Sequence, residues 1–288
     1  MSPKNTNSSL AERAASKPFN IQQMQTIFQA ASNKKDVPHR HAYYTVLLIR
    51  EAVGKHVVDY KTYPMASSQV HFISPGQVHQ VDLTDEPDGW VITFSKEFLI
   101  ENNIPESFIS NINLFRSFGE TPPLAVDAKT FGKLEKVVLD MLECVEGEIH
   151  YSSQAMGALL QLFLIYCNNS CTLDASSHDT QDTGICMLRD FKRMVDQHYF
   201  EWHKVTDYAE AMFVTTKHLS YSLKETSGKT AKQLIQDRIT LEAKRLLLHS
   251  DQSIKELSLT LGFEEPLHFS GFFKKMAGVS PTEYRERK

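Results

Sequence analysis

The last hundred residues carry one short pattern twice at a fixed spacing. Residues 219–230 read LSYSLKETSGKT, and 50 positions later residues 269–280 read FSGFFKKMAGVS. A leucine or phenylalanine, a serine, an apolar residue, a lysine, a glycine and a small hydroxyl residue recur at that one offset. Such recurrence marks a single supersecondary unit used twice.

The spacing builds each copy into a helix-turn-helix. In the first, Val205, Tyr208, Ala209 and Met212 fall at i, i+3, i+4 and i+7, the buried face of a short helix that Thr206 is placed to cap. A second helix is predicted to start at Thr215 or Thr216. Its Leu219 and Leu223 point inward, while Lys217, Ser220, Tyr221 and Lys224 face outward. In the second copy, Ser253 and Glu256 form a capping box, and Ile254, Leu257 and Leu261 supply the apolar stripe. Gly262 gives the turn a left-handed residue and Pro266 suits the first turn of the next helix. Between the copies a rod opens on a Thr230/Gln233 capping box and continues through Leu234, Ile235, Ile239, Ala243, Leu246 and Leu247. Such a rod of roughly 17 to 18 residues reaches roughly 26 Å. Adjacent major-groove faces of B-DNA lie ~34 Å apart, so one chain can seat both outer helices on one face of a duplex.

Residues 262–285, GFEEPLHFSGFFKKMAGVSPTEYR, resemble the signature of the AraC/XylS family of bacterial transcription regulators. The glycine-phenylalanine turn, Phe269, Phe273-Lys274, Gly278, Ser280-Pro281 and Tyr284-Arg285 all match, and the likeness covers about 100 residues in both half-motifs. The resemblance implies base contacts from the outer side of each second helix: Lys217, Ser220 and Tyr221 in the first copy, Leu267, His268 and Gly271 in the second. With the flanking Thr216 and Lys224, and with Lys274 and Lys275 for phosphate, these form the expected DNA-binding set. Lys217 can donate to guanine O6 or N7 and Tyr221 can meet a thymine methyl or a phosphate. Leu267 and Gly271 offer no donor where many relatives carry a polar or arginine side chain. The first copy is therefore expected to set sequence preference and the second to contribute phosphate contacts. A plain helical bundle would explain the apolar stripe but not the repeated offset.

Charge alone would not have found this. Residues 185–288 hold 17 Lys and Arg against 14 Asp and Glu, formally +3, leaving 14 against 21, formally −7, for residues 1–184. Affinity for DNA then rests on local placement of lysines and helix N-termini more than on a broad basic field.

The first 184 residues are built differently. Residues 37–95 contain short apolar pieces, TVLLI, HVVDY, VHFISP and WVITF, separated by Gly, Pro and Asp, which predicts an antiparallel sandwich or barrel. Residues 37–44, VPHRHAYY, and 73–81, ISPGQVHQV, resemble the cupin-like sensor domain fused to many members of that family. His39, His41 and His79 invite a metal, since enzymatic cupins hold a divalent ion through two histidines at i and i+2 plus a later one. The carboxylate that such cupins carry has no equivalent among residues 42–46, so no metal and no cofactor is assigned. His39, His41, Tyr43, Phe72, His79 and Trp90 are instead the candidate lining of a small effector pocket, with Tyr44 as a further aromatic; aromatics on short strands also serve as core.

Two helical stretches follow, at about 130–144 and 148–168, with Gly147 able to separate them. Leu134, Val137, Val138, Met141, Leu142 and Val145 keep helical period in the first; Met156, Leu159, Leu160, Phe163, Leu164 and Tyr166 crowd more than one face of the second. That surplus either packs on the sandwich or pairs with a second subunit, and in the resembled family it commonly makes the dimer contact. Residues 172–184, TLDASSHDTQDTG, read as a linker.

The expected fold is thus α+β in two domains. Residues 1–20 are a polar leader and 21–171 a cupin-like β-sandwich or barrel with a helical dimerisation hairpin. Linker 172–184 leads to an all-α domain, 185–288, with two helix-turn-helix motifs joined by a long helix. The leader has no apolar h-region and no run of 18 apolar residues occurs, so a cytoplasmic protein is expected. Cys144, Cys167, Cys171 and Cys186 form no C-x-x-C pair and read as reduced structural thiols. The expected function is a DNA-binding transcription regulator, an activator controlled by a small effector, with promoter DNA, RNA polymerase and a second copy of the chain as partners. The alternatives are a cupin-type metal-dependent enzyme with a helical appendage, or a regulator whose front domain receives a partner protein.

Overall fold

The computed structural model describes residues 17–30, 36–112, 114–116, 118–119, 121–146, 150–171 and 183–286. The chain divides into two compact units, Met1–Leu173 and Asp174–Lys288.

Among the described residues of the first unit, eight strands form two antiparallel sheets. They are β1 (Phe19–Gln23), β2 (Tyr44–Glu51), β3 (Gly54–Val58), β4 (Lys61–Met65), β5 (Gln69–Ile73), β6 (His79–Leu83), β7 (Asp88–Phe94) and β8 (Leu124–Ala125). The larger sheet runs β1-β7-β2-β5-β8 and the smaller β4-β3-β6. β1 is followed by a short helix, α1 (Met24–Ala30). Phe19 and Asn20, assigned to the leader from sequence, lie in β1 opposite Phe94 and Thr93, and the Phe19 ring packs 4.8 Å from Phe98. The polar text of the leader hides them because their partner strand lies some seventy residues away.

Strand alternation gives the larger sheet two different faces. Tyr44, Val46, Leu48, Val70, Phe72, Trp90, Ile92 and Phe94 share one core with α2 (Lys96–Glu101), α3 (Glu106–Asn111), α4 (Ala128–Glu146) and α5 (Ser152–Asn169). Leu47, Ile49 and Ile73 belong to a second cluster with Met65, Val81 and Leu83 of the smaller sheet. The α4/α5 pair buries much of its apolar surface in the core it shares with the sheet: Leu134, Val138, Met141, Leu160, Phe163, Leu164 and Cys167 are fully buried there. That modifies the expectation of a hairpin kept for dimerisation. What stays outside is a smaller set, Leu139, Val145, Leu162 and Ile165. Gly147 lies outside the described residues. The four cysteines are free thiols, and burial pushes the Cys167 thiol well above its ordinary range.

The second unit is helical: α6 (Thr183–His198), α7 (Val205–Ala211), α8 (Thr216–Ser227), α9 (Ala231–His249), α10 (Ile254–Thr260), α11 (Pro266–Ala277) and α12 (Pro281–Arg285). Thr183 and Gly184, expected in the linker, begin α6; residues 172–182 lie outside the described set. α6 supplies Phe191 and Val195 to the first helix-turn-helix, with the Phe191 ring against Tyr208. Ala243, Leu246 and Leu247 of α9 bury Leu257, Leu261, Phe269 and Phe273 of the second. None of the helices is long and apolar enough to cross a membrane, among the described residues.

Candidate nucleic-acid interface

The two reading helices are framed alike. α8 and α11 start and stop 50 residues apart at both ends. Each ends on a left-handed glycine, Gly228 at φ 71° and Gly278 at φ 81°, where a side chain would be strained. Each is followed by a helix opened by a capping box, Thr230/Gln233 or Ser280/Glu283. Leu219 and Leu223 in the first copy and Phe269 and Phe273 in the second are fully buried, so one side of each helix is fixed and the other is presented.

The preceding turns differ. The first helices, α7 and α10, are 49 residues apart, so the second turn holds one residue more. The left-handed turn position is Phe213 (φ 56°, 95 % exposed) in the first copy and Gly262 (φ 78°) in the second. A Cβ on Gly262 would lie 2.0 Å from the Phe200 carbonyl oxygen. The first turn has no such neighbour requirement and tolerates a bulky residue in a conformation that normally favours glycine. Thr206 does not cap α7 as expected: the N-cap is Lys204, and the Thr206 hydroxyl donates to Asp207 Oδ1 at 3.2 Å. Thr215 caps α8, its Oγ1 accepting the His218 N–H.

The segment between α6 and α7 ties the copies together. Tyr208 Oη donates to the Trp202 carbonyl at 3.0 Å, which reaches into the first copy, while the His203 Nε2–H donates to Leu261 O at 2.9 Å in the second. A buried ion network adds to this. Arg238 of α9 donates to Asp196 of α6 at 2.7 Å and to Glu242 at 2.9 Å, with its guanidinium 3.9 Å from the Tyr199 ring centre; Arg245 donates to the same Glu242 at 3.2 Å. Burial disfavours the Arg238 charge, yet the two carboxylates outweigh it and raise its pKa. The rod α9, 19 residues long, spans about 28 Å.

Thr216, Lys217, Tyr221 and Lys224 are exposed on α8 and Ser220 is half-buried beside them; Tyr221 is 66 % exposed. On α11, Leu267 (82 % exposed), His268, Gly271, Lys274 and Lys275 are exposed. Each expected set therefore shares one outer face of its helix. Sequence reasoning passed over Glu264 and Glu265, exposed just before α11 where the first copy has Val214 and Thr215. Aligning the copies at their common offset is the signal that finds them.

The expected effector pocket does not assemble as one site. Phe72 and Trp90 belong to the helix-covered core, whereas His79 makes a backbone bridge to His39 and contacts His41 and His56. The reason is strand alternation, which the sequence shows only once register is known. Tyr43 stacks on the His41 ring at 4.0 Å. Phe72 lines a recess with Leu114, Arg116, Thr121, Pro122, Leu124 and Cys171, which has room for about one water and none of the other five candidates in its walls. His56 and His71, which the sequence motif omits, extend the histidines into a row. Burial pulls His41 and His71 down to about 4 and His56 and His79 well below the usual imidazole range. For His39 burial works the same way, but Asp36 outweighs it and the pKa rises. Each missed ring is the third residue of a five-residue strand, β3 or β5.

Two presented helices in matched frames, joined by a rod of near-groove length, define a DNA-binding transcription regulator. Residues 208–287 match the helix-turn-helix domain family. The chain is 21% identical over 253 residues to the HTH-type transcriptional activator RhaS of Enterobacter sp. (strain 638), covering 86% of this chain and 87% of that protein. It is 21% identical over 251 residues to the HTH-type transcriptional activator RhaR of Mannheimia succiniciproducens, with the same two coverages, 86% and 87%. Among solved structures, ToxT from Vibrio cholerae aligns over 93% of this chain and 98% of its own at 18% identity, with a TM-score of 0.44. Residues 208–287 thus carry a helix-turn-helix domain, and over most of its length the chain is similar to HTH-type transcriptional activators.

Proposed function

We propose that the protein activates transcription from promoters that its two helix-turn-helix copies read unequally. The observation that carries this is the contrast between matched positions. Lys217 and Tyr221 occupy on α8 the places that Leu267 and Gly271 occupy on α11. Base edges are distinguished by donors and acceptors, which the first pair supplies and the second lacks. Lys274 and Lys275 then serve phosphate. The activator role follows the names of the relatives.

Residues 21–171 act in this proposal as a cupin-like sensor and dimerisation domain, and 185–288 as the reader. Dimerisation uses the exposed Leu139, Leu162 and Ile165 of α4 and α5, and the bound dimer contacts RNA polymerase in the cytoplasm. An effector in the sensor domain works only through unequal affinity for the DNA-competent and incompetent arrangements. The test is affinity of the full chain for an operator and for random DNA across a salt series. Lys217→Ala with Tyr221→Ala should weaken operator binding while leaving random DNA nearly untouched; equal losses on both would overturn the assignment.

A further inference from the structure

Four histidine rings of the first unit lie in a row that has one hydrogen too few. The row begins at the Tyr43 carbonyl oxygen, 2.8 Å from His41 Nδ1. His41 Nε2 lies 3.0 Å from His79 Nε2, His79 Nδ1 lies 3.2 Å from His56 Nε2, and His56 Nδ1 lies 3.0 Å from His71 Nδ1. The row ends where His71 Nε2 meets Gln69 Oε1 at 3.2 Å. Both ends are acceptors: a carbonyl cannot donate, and Gln69 Oε1 is held as the oxygen by the Ala66 N–H donating to it at 3.0 Å. Five links therefore need five hydrogens, and four neutral imidazoles supply one each. One link must hold two facing lone pairs.

The geometry says where a cation resolves this. Fixing the hydrogens inward from both ends puts one on His41 Nδ1 and, through His71 and His56, one on His79 Nδ1. The two nitrogens that face each other with no hydrogen between them are then His41 Nε2 and His79 Nε2, with the Thr45 hydroxyl 3.2 Å from His41 Nε2 at the edge of the gap. A third ring points the same way. His39 Nδ1–H donates to the Val37 carbonyl at 2.8 Å, with Asp36 Oδ1 at 3.4 Å, which leaves the lone pair of the neutral ring on Nε2. Nitrogens of His39, His41 and His79 lie within 4.8 Å of one another. Zinc–imidazole bonds of about 2.0–2.1 Å in a tetrahedron set nitrogens ~3.3 Å apart. His41 and His79 are near that spacing already, and His39, with a side chain 29 % exposed, has freedom to swing in.

We propose that His39, His41 and His79 form a three-imidazole site for a divalent d-block cation, with Zn²⁺ the reference ion and a fourth position open to water. Imidazole donors favour Zn, Ni and Cu over Mg or Ca. Outer-shell partners of the kind that orient metal-bound histidines are in place: the Val37 and Tyr43 carbonyls, Asp36, and His56 behind His79. From the sequence motif alone, the missing carboxylate argued against a metal; His56 and His71 reverse that, because they fix the tautomers. The alternative occupant of the deficit is a proton, which burial of His56, His71 and His79 opposes.

The test uses the full-length chain stripped with chelator and titrated with Co²⁺ and then Zn²⁺. The expected result is one Co²⁺ per chain with visible absorption of tetrahedral type, displaced by one Zn²⁺. His39→Ala, at the half-exposed ring, should weaken binding by at least ~100-fold, beyond the 10–100-fold typical of an outer-shell loss. His71→Gln, which keeps a donor and an acceptor at the far end of the row, should change it less than tenfold. Absence of stoichiometric binding would overturn the proposal, as would binding indifferent to His39→Ala. ¹⁵N shifts of the metal-free protein at neutral pH showing a charged imidazole among the four rings of the row would assign the deficit to a proton and likewise overturn it.

Discussion

The two helix-turn-helix copies share a frame and differ at the turn and at the residues set out for base contact. In the first, the turn is open enough to hold Phe213 in a left-handed conformation at 95 % exposure, and the outer face carries Lys217, Ser220, Tyr221 and Lys224. In the second, Gly262 is pressed against the Phe200 carbonyl, and the outer face carries Leu267, His268 and Gly271 behind Glu264 and Glu265. Two carboxylates at the start of a reading helix work against phosphate approach, where Val214 and Thr215 do not. The repeat thus keeps the terminal glycine, the capping box that follows it and the buried pair of each reading helix. It leaves turn and outer face to diverge, because neither is needed for packing.

The contrast can be broken at its structural end first. Gly262→Ala adds both left-handed strain and a clash with backbone, so a loss exceeding ~3 kcal/mol is expected, read as a fall in thermal midpoint with operator binding gone. Phe213→Ala, the matched change in the first copy, should move the midpoint little; comparable damage from both would show that the turns are equivalent. Arg238→Met removes the guanidinium that Asp196 accepts from and one of those that bond Glu242, leaving Arg245 on Glu242, and should cost up to about 3 kcal/mol in denaturant unfolding. A neutral result would mean that the network does not hold α6 against α9.

Binding effects come next. Lys217→Ala with Tyr221→Ala should reduce operator affinity by ~1–3 kcal/mol for each base that is no longer read, with random DNA almost unchanged. Lys274→Ala with Lys275→Ala should weaken operator and random DNA alike and lower the salt slope by about one for each phosphate that is no longer neutralised. The smallest effect belongs to Leu267→Ala, for which no change of base preference is expected in a competition assay. Relaxed preference there would reverse the roles of the two copies.

The reading unit was legible in sequence to an unusual depth because its signals are local. Capping boxes at Ser253/Glu256 and Thr230/Gln233, the buried pairs one turn apart and the 50-residue offset all lie within short windows. Phe213 was not legible as a left-handed residue, since only its open surroundings permit it there. Thr206 misled because a hydroxyl two residues past the cap looks from sequence like one at the cap itself. The first unit resisted for a different reason. Whether Trp90 or His71 faces helices or the smaller sheet depends on pairings such as Leu48↔Trp90 and Leu47↔His71, and nothing in either segment announces its partner. His56 and His71 stayed hidden as a row for that reason, while His39, His41 and His79 were found by their motif.

The most direct measurement is selection of bound duplexes from a random 30-base-pair library by the full-length protein, repeated with Lys217→Ala/Tyr221→Ala. The expected outcome is a motif with one strongly specified zone and one weakly specified zone about one helical turn away, the strong zone disappearing in the variant. Two equally specified zones, or a strong zone that survives the variant, would contradict unequal reading by the two copies.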